Sequence, residues 1–178
     1  MMIKRSQSVL FLLFTIMLLG ASVTRAAEEA EVRGTVQRVF QQLKSRDYGA
    51  LYDSLPAATR TKMSRARFTS GLKRAQDMYL LDRIDVGSIR VSGNIAVVDT
   101  VLYGRVVSPI ETEGKIVVQQ YLVREEGKWR VATGDRGTIQ RFLRVNPAFR
   151  KLPIRLPRIY VRQNNKWIEF TTPRSTGG

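Results

Sequence analysis

Gly93-Asn94-Ile95-Ala96-Val97-Val98 and Tyr121-Leu122-Val123-Arg124-Glu125-Glu126-Gly127-Lys128-Trp129-Arg130-Val131 are the stretches on which the fold of this chain turns. In each, turn residues abut β-branched and aromatic residues that alternate with a period of two, so each joins a strand to a tight turn. Working outward, residues 84–91, 95–107, 115–125 and 128–132 read as strands rich in Val, Ile, Tyr and Leu. They are separated by Ser92-Gly93-Asn94, by Ser108-Pro109 through Gly114, and by Glu126-Gly127. The expectation is an antiparallel meander of four strands.

Upstream the period is 3.6. Val32, Val36, Val39, Phe40 and Leu43 form one apolar stripe over residues 28–45, with Glu28, Glu29 and Glu31 suited to a helix N-terminus. Asp47 can cap a short helix carrying Tyr48, Leu51, Tyr52 and Leu55, which Pro56 stops. A third helix from near Ser64 presents Phe68, Leu72, Ala75 and Tyr79 on one side. Helices first and strands second predict an α+β fold with the helices on one sheet face.

The "GN-x-A-x-V" strand start at Gly93–Val98 and the "G-K-W-x-V" strand end at Gly127–Val131, following three helices, resemble the nuclear transport factor 2-like superfamily. The similarity covers about residues 28–135 and implies a cone of helices on a curved antiparallel sheet. Any ligand cavity would then lie between helices and sheet. The superfamily spans enzymes, scaffold subunits and binding modules, so the resemblance implies no particular activity.

If Val101 lies opposite Tyr121, then Val97, Asp99, Val101 and Tyr103 share a face with Gln119, Tyr121 and Val123. Val98, Thr100, Leu102, Ile116, Val118, Gln120 and Leu122 form the other face, with Trp129 and Val131, and this more apolar side should meet the helices. Thr100 and Gln120 are the strand polar groups directed toward a cavity, and both are poor acid-base catalysts. Tyr48, Tyr52 and Tyr79 are core or cavity-rim residues and complete the candidate ligand contacts. The catalytic alternative is an isomerase, lyase or hydrolase with Asp99 as base and Tyr103 as hydrogen-bond donor; against it stands Asp99 paired with Arg90 or Arg130.

Composition narrows the chemistry. The 178 residues contain neither Cys nor His, which excludes disulfides, thiol nucleophiles and imidazole bases. No phosphate-binding, dinucleotide, nucleophile-elbow or clustered metal-ligand motif occurs, so no cofactor and no metal is expected. Lys4 and Arg5 precede an apolar run at 9–19 and the small-residue Thr24-Arg25-Ala26, the pattern of a secretory signal peptide over residues 1–26 cleaved after Ala26. An export route to a bacterial periplasm or the exterior follows, with an uncleaved anchor as the competing possibility.

The formal net charge of +15 is uneven: residues 136–178 hold ten basic residues and one acidic, against 17 and 14 in residues 27–135. The expected division is a signal peptide, an α+β domain over 27–135 and a basic C-terminal arm over 136–178. Arg60, Lys62, Arg65, Arg67, Lys73 and Arg74 form a second basic stretch, expected as a solvated face. In the arm, Thr138 can cap a helix with Ile139, Phe142 and Leu143 inward, and Asn146-Pro147 ends it. Pro153 and Pro157 favour an extended segment, followed by a hairpin around Gln163-Asn164-Asn165, and residues 171–178 read as disordered.

So apolar an arm should dock on its own sheet, a second subunit, or a partner or membrane surface. Arg141, Arg144, Arg150, Lys151, Arg155, Arg158 and Arg162 would face an anionic lipid, polymer or acidic protein. Nucleic acid satisfies the same charge but is a poor partner for an exported protein. A homodimer through the face carrying Val97, Val101, Tyr103, Tyr121 and Val123 would hide apolar area. The favoured function is a non-catalytic binding or assembly module of the cell envelope, taking a small apolar ligand or a protein partner.

Overall fold

The computed structural model describes residues 5–76, 78–107, 111–133 and 136–170, with backbone alone at 5–24 and 75–76. The expected loop through Ser108-Pro109, the domain boundary near Asp135 and the 171–178 tail fall wholly or partly outside the described residues. Four helices come first: α1 (Arg5–Lys44), α2 (Tyr48–Asp53), α3 (Ala57–Arg60) and α4 (Arg65–Gln76). Strands β1 (Tyr79–Ser92), β2 (Ile95–Val106), β3 (Thr112–Glu125) and β4 (Lys128–Ala132) follow, then α5 (Arg136–Val145), a 3-10 turn (Pro147–Lys151), β5 (Arg158–Gln163) and β6 (Lys166–Glu169). All pairings are antiparallel, in the order β1-β2-β3-β5-β6, with β4 also on β3. This is an α+β layout, N-terminal helices against a six-stranded antiparallel sheet. Among the described residues no helix is long and apolar enough to cross a membrane.

The four expected strands are present, with β1 beginning five residues before its pattern implied. Tyr79 accordingly opens a strand instead of closing the helical stripe of Phe68 and Leu72. Register shifts at Leu81/Arg83 and Val86/Ile89 interrupt the alternation there, which is why periodicity fails to mark the strand's start. At the first shift Gly104 lets β2 approach closely, since a Cβ there would lie 2.3 Å from the Leu80 carbonyl oxygen.

Between β2 and β3 the register sets Val97 opposite Tyr121 and Val101 opposite Val117, a slide of four residues from the expected pairing. Thr112, Glu113 and Gly114 join the ladder and tighten the hairpin. Because four is even, every side chain keeps its expected face.

The helix-facing core gathers Val32, Val36 and Val39 of α1, Leu51, Leu55 and Phe68 with Ala96, Val98, Leu122, Trp129 and Val131. Asp47 caps α2 through Ala50 N at 3.0 Å, as its spacing predicts. Helix α1 runs unbroken past residue 28, so Glu28 and Glu31 do not sit at an N-terminus. They instead pair with Arg124, tying α1 to β3.

The opposite face is covered by the arm. Ile139, Phe142 and Leu143 of α5, with Phe149 and Leu152, pack on Ile95, Val97, Tyr121 and Val123. Phe149 is 1% exposed, edge-on to Tyr121 at 5.8 Å and tilted on Phe142 at 5.5 Å. The apolar area behind the expected dimer at Val97, Tyr121 and Val123 is thus buried within one chain. Thr138 is the third residue of α5 and not the residue before it, while Asn146 ends the helix by donating from its side chain to the Phe142 carbonyl at 2.9 Å. The hairpin closes on Asn164 and Asn165 at φ 48° and 61°, the two positive angles that a two-residue turn of this hand requires. It continues the sheet from β3 and is fastened by Lys115 over the Tyr160 and Trp167 rings at 5.1 and 4.5 Å.

Candidate functional site

Strand β3 pairs with β5 at residues 114–117 and with β4 at 121–125, which leaves Val118, Gln119 and Gln120 without a ladder neighbour on that edge. The segment Ile154–Pro157 crosses this gap. Pro157, with Pro153 just before the segment, removes backbone donors, so this stretch cannot complete the ladder as a strand would. Beneath it a cavity of about 720 Å³ extends between α1 and the sheet and around the open edge of β3 toward α5.

The walls are predominantly apolar. Val36, Phe40 and Val131 close the buried end, while Leu43, Ile84, Leu102, Ile116 and Val118 are half-buried along the sides. Arg136, Gln140, Ile154, Arg155, Leu156 and Pro157 are exposed and form the mouth. Among the described residues no carboxylate lines it. The volume falls within the roughly 300–1,000 Å³ of small-molecule sites.

Gln119 holds the segment across the gap. The residue is 5% exposed, and its Nε2 donates to the Pro153 carbonyl at 3.1 Å and to Asp99 Oδ1 at 2.9 Å. Its Oε1 accepts from the Arg155 backbone N–H at 2.7 Å and from the Tyr121 hydroxyl at 3.2 Å. One side chain thus supplies the donor and acceptor that a neighbouring strand would have given. Sequence reasoning placed Gln119 on the correct face without assigning it a role. The available signal was a polar residue on an otherwise apolar stripe, matched by a proline-bracketed segment short of donors.

Asp99 is half-buried and accepts both Arg90 Nη groups at 2.9 Å. The Arg90 hydrogen bonds, with Gln119 adding to them, hold its carboxyl below the ordinary carboxylate range. A base needs the opposite shift. Tyr103 lies four residues farther along β2, about 13 Å away at ~3.3 Å per residue, with the Arg83 guanidinium 3.6 Å over its ring. It borders a separate, polar hollow with Asp82, Arg105 and Trp167, which Asp99 does not line. The structure therefore does not bring the alternative catalytic pair together, and Arg90, rather than Arg130, is the partner of Asp99. Arg130 donates to the Asp53 carbonyl at 2.7 Å.

Of the expected ligand contacts, Gln120 lines the cavity. Thr100 is on the helix-facing side but 2% exposed, and its Oγ1 donates to the Val118 carbonyl at 2.9 Å. Tyr52 lies elsewhere, its hydroxyl within 2.9 and 3.1 Å of the Met63 and Arg60 carbonyls and its ring under Arg65. Tyr48 is buried, and half-buried Tyr79 has its hydroxyl pKa raised by desolvation and by nearby Tyr48. Neither lines the cavity.

The basic residues of the arm do not form one patch. Arg155 lines the cavity mouth, while Arg141 borders a small crevice with Lys62 and Met63. Arg162 pairs with Glu113 and sits over Trp167, and Arg158 sits over Tyr160. Arg144, Arg150 and Lys151 are exposed. In the earlier basic stretch α3 ends at Arg60 and α4 begins at Arg65, so the stretch is divided between two helices. Arg65 is bound to Asp53. Among the described residues no cluster of three or more potential metal ligands occurs.

No protein-family model matches the chain, and no curated protein matches it. Similar solved structures include a nuclear transport factor 2-like protein of unknown function from Pseudomonas putida KT2440, at 14% identity and TM-score 0.41, covering 64% of this chain and 92% of that one. Another is a nuclear transport factor 2-like protein with a cystatin-like fold from Novosphingobium aromaticivorans, at 14% identity and TM-score 0.42, covering 67% and 92%. A SEC-C motif containing protein from Rhodopseudomonas palustris aligns at 10% identity and TM-score 0.44, covering 54% and 70%.

Proposed function

We propose that this chain is a non-catalytic binding protein whose cavity between α1 and the sheet takes a small apolar ligand. One observation carries the reading: a cavity of about 720 Å³ with predominantly apolar walls, along which the charged residues among those described, Arg136 and Arg155, are exposed. Burying apolar ligand surface contributes about 25 cal/mol per Å². The polar groups that line the cavity are suited to hydrogen bonding or charge pairing, not to proton abstraction. The N-terminal signal pattern supports an exported protein of the bacterial envelope, periplasmic or secreted. The test is mass spectrometry of the full chain purified from its own host, under native and then denaturing conditions. A reproducible non-covalent adduct lost on denaturation is the expected result. A bare mass from a protein that also takes up no apolar fluorescent probe overturns the reading.

A second reading rests on the exposed apolar residues of the arm. Ile154 and Leu156 are 44% and 69% exposed and adjoin Arg155, in an arm that carries ten basic residues and one acidic. Such a surface suits anionic lipid or polymer, with about 1 kcal/mol per cation near a charged bilayer at low salt. Retention on anionic vesicles that falls steeply with salt is the expected behaviour. Equal retention by a chain lacking residues 153–170 would exclude it.

A further inference from the structure

We propose that the cavity ligand is a single-chain anionic amphiphile, its hydrocarbon chain between α1 and the sheet and its carboxylate or phosphate head at Arg136 and Arg155. The inference rests on the cavity reading and assigns it a ligand class. The buried end offers Val36, Phe40 and Val131, with no charged group, so it suits hydrocarbon. Among the described residues, the charged ones that line the cavity are two arginines, and both are exposed.

Arg155 is free to change partner. Its side chain is 70% exposed and its Nη1 is 3.9 Å from Asp99, whose oxygens already accept both Nη groups of Arg90 at 2.9 Å. Its backbone, by contrast, is fixed by the 2.7 Å bond to Gln119. The guanidinium is therefore carried on an anchored residue with donors to spare, and its planar fork matches a carboxylate or phosphate. Flanking it, Ile154 and Leu156 extend the apolar wall to the surface, where they would cover the first methylenes below a headgroup. An all-apolar ligand would leave the two cations without purpose, and a cationic amphiphile would meet repulsion from them and from the basic arm.

The experiment is displacement of the neutral probe N-phenyl-1-naphthylamine from the full chain, below each competitor's micelle concentration. The competitors are dodecanoate, dodecyl phosphate, dodecanol and dodecyltrimethylammonium. The expected result is displacement by the two anions at about tenfold lower concentration than by dodecanol, with the cation weakest. Arg136→Gln with Arg155→Gln should remove that preference, so that the anions and dodecanol displace the probe at similar concentrations, and native mass spectrometry of the unsubstituted chain should show one anion per chain. The stronger of the two anions identifies the headgroup. Dodecanol matching the anions, or anions that displace the probe without forming a one-to-one adduct, would overturn the proposal while leaving the cavity reading in place. A chain that never binds the neutral probe would overturn the cavity reading first.

Discussion

Gln119→Leu should loosen the arm over the cavity mouth without unfolding the domain. The substitution keeps an apolar stem of similar length and deletes the hydrogen bonds to the Pro153 carbonyl and the Arg155 N–H, which hold the arm, along with those to Asp99 and from the Tyr121 hydroxyl, which do not. At about 1 kcal/mol net for each neutral hydrogen bond, some 2 kcal/mol of arm docking is lost. Asp99 retains both contacts from Arg90, so no buried carboxylate is stranded. With a factor of ten for every ~1.4 kcal/mol, the open population of 153–157 rises about 30-fold. Trypsin under conditions where opening is faster than cleavage reads that population directly, since Arg155 is a target on the segment and Lys151 and Arg158 flank it. Cleavage there should accelerate by roughly that factor, while cuts within the helical half are unchanged. An unchanged rate at Arg155 would refute the view that one side chain replaces a missing strand. A proportional rise at every site would show global destabilisation instead.

Other expectations follow from packing and charge. Phe149→Ala removes the ring clamped between Tyr121 and Phe142 and should cost about 3–5 kcal/mol, with exposure of the outer sheet face seen as raised dye binding. Gly104→Ala forces a Cβ toward the Leu80 carbonyl and should cost about 1–3 kcal/mol, lowering Tm by about 2–10 °C in a thermal melt; a change under a degree would show that β1 yields freely. Asp99 contributes stability that is complete above the ordinary Asp pKa, about 3.9, and is lost as pH falls through its depressed folded value. Asp99→Asn should therefore flatten the stability curve below about pH 4 and leave cavity binding intact; loss of a turnover activity in that variant would restore the catalytic alternative.

Most of the fold was legible because periodicity survives errors of register. Sliding β2 against β3 by four residues moved the cross-strand partners yet kept Thr100, Gln120 and Leu122 on the helix side. What periodicity could not show was where local rules yield to tertiary contacts. The start of β1 is masked by two register shifts, and Tyr79 fits a helical stripe until the strand claims it. The site was less legible still. Its mouth depends on residues 154–157 lying across β3 more than thirty positions away in sequence, a contact fixed by the Gln119 side chain and not by any pattern. The apolar arm was expected to dock on one of several surfaces. The choice of its own sheet rests on Phe142 and Phe149 fitting over Tyr121, a matter of shape.

The most direct test of the cavity as a binding site is to fill it. Leu102 and Val118 project into it from adjacent strands on the same sheet face, and Leu102→Trp with Val118→Trp would occupy its centre. Titration of the full chain with N-phenyl-1-naphthylamine should give saturable one-to-one fluorescence enhancement in the native protein. The filled variant should lose it, with circular dichroism and outer-face packing unchanged. Equal uptake by both proteins would contradict the assignment, because the probe would then be binding a surface and not the space between α1 and the sheet.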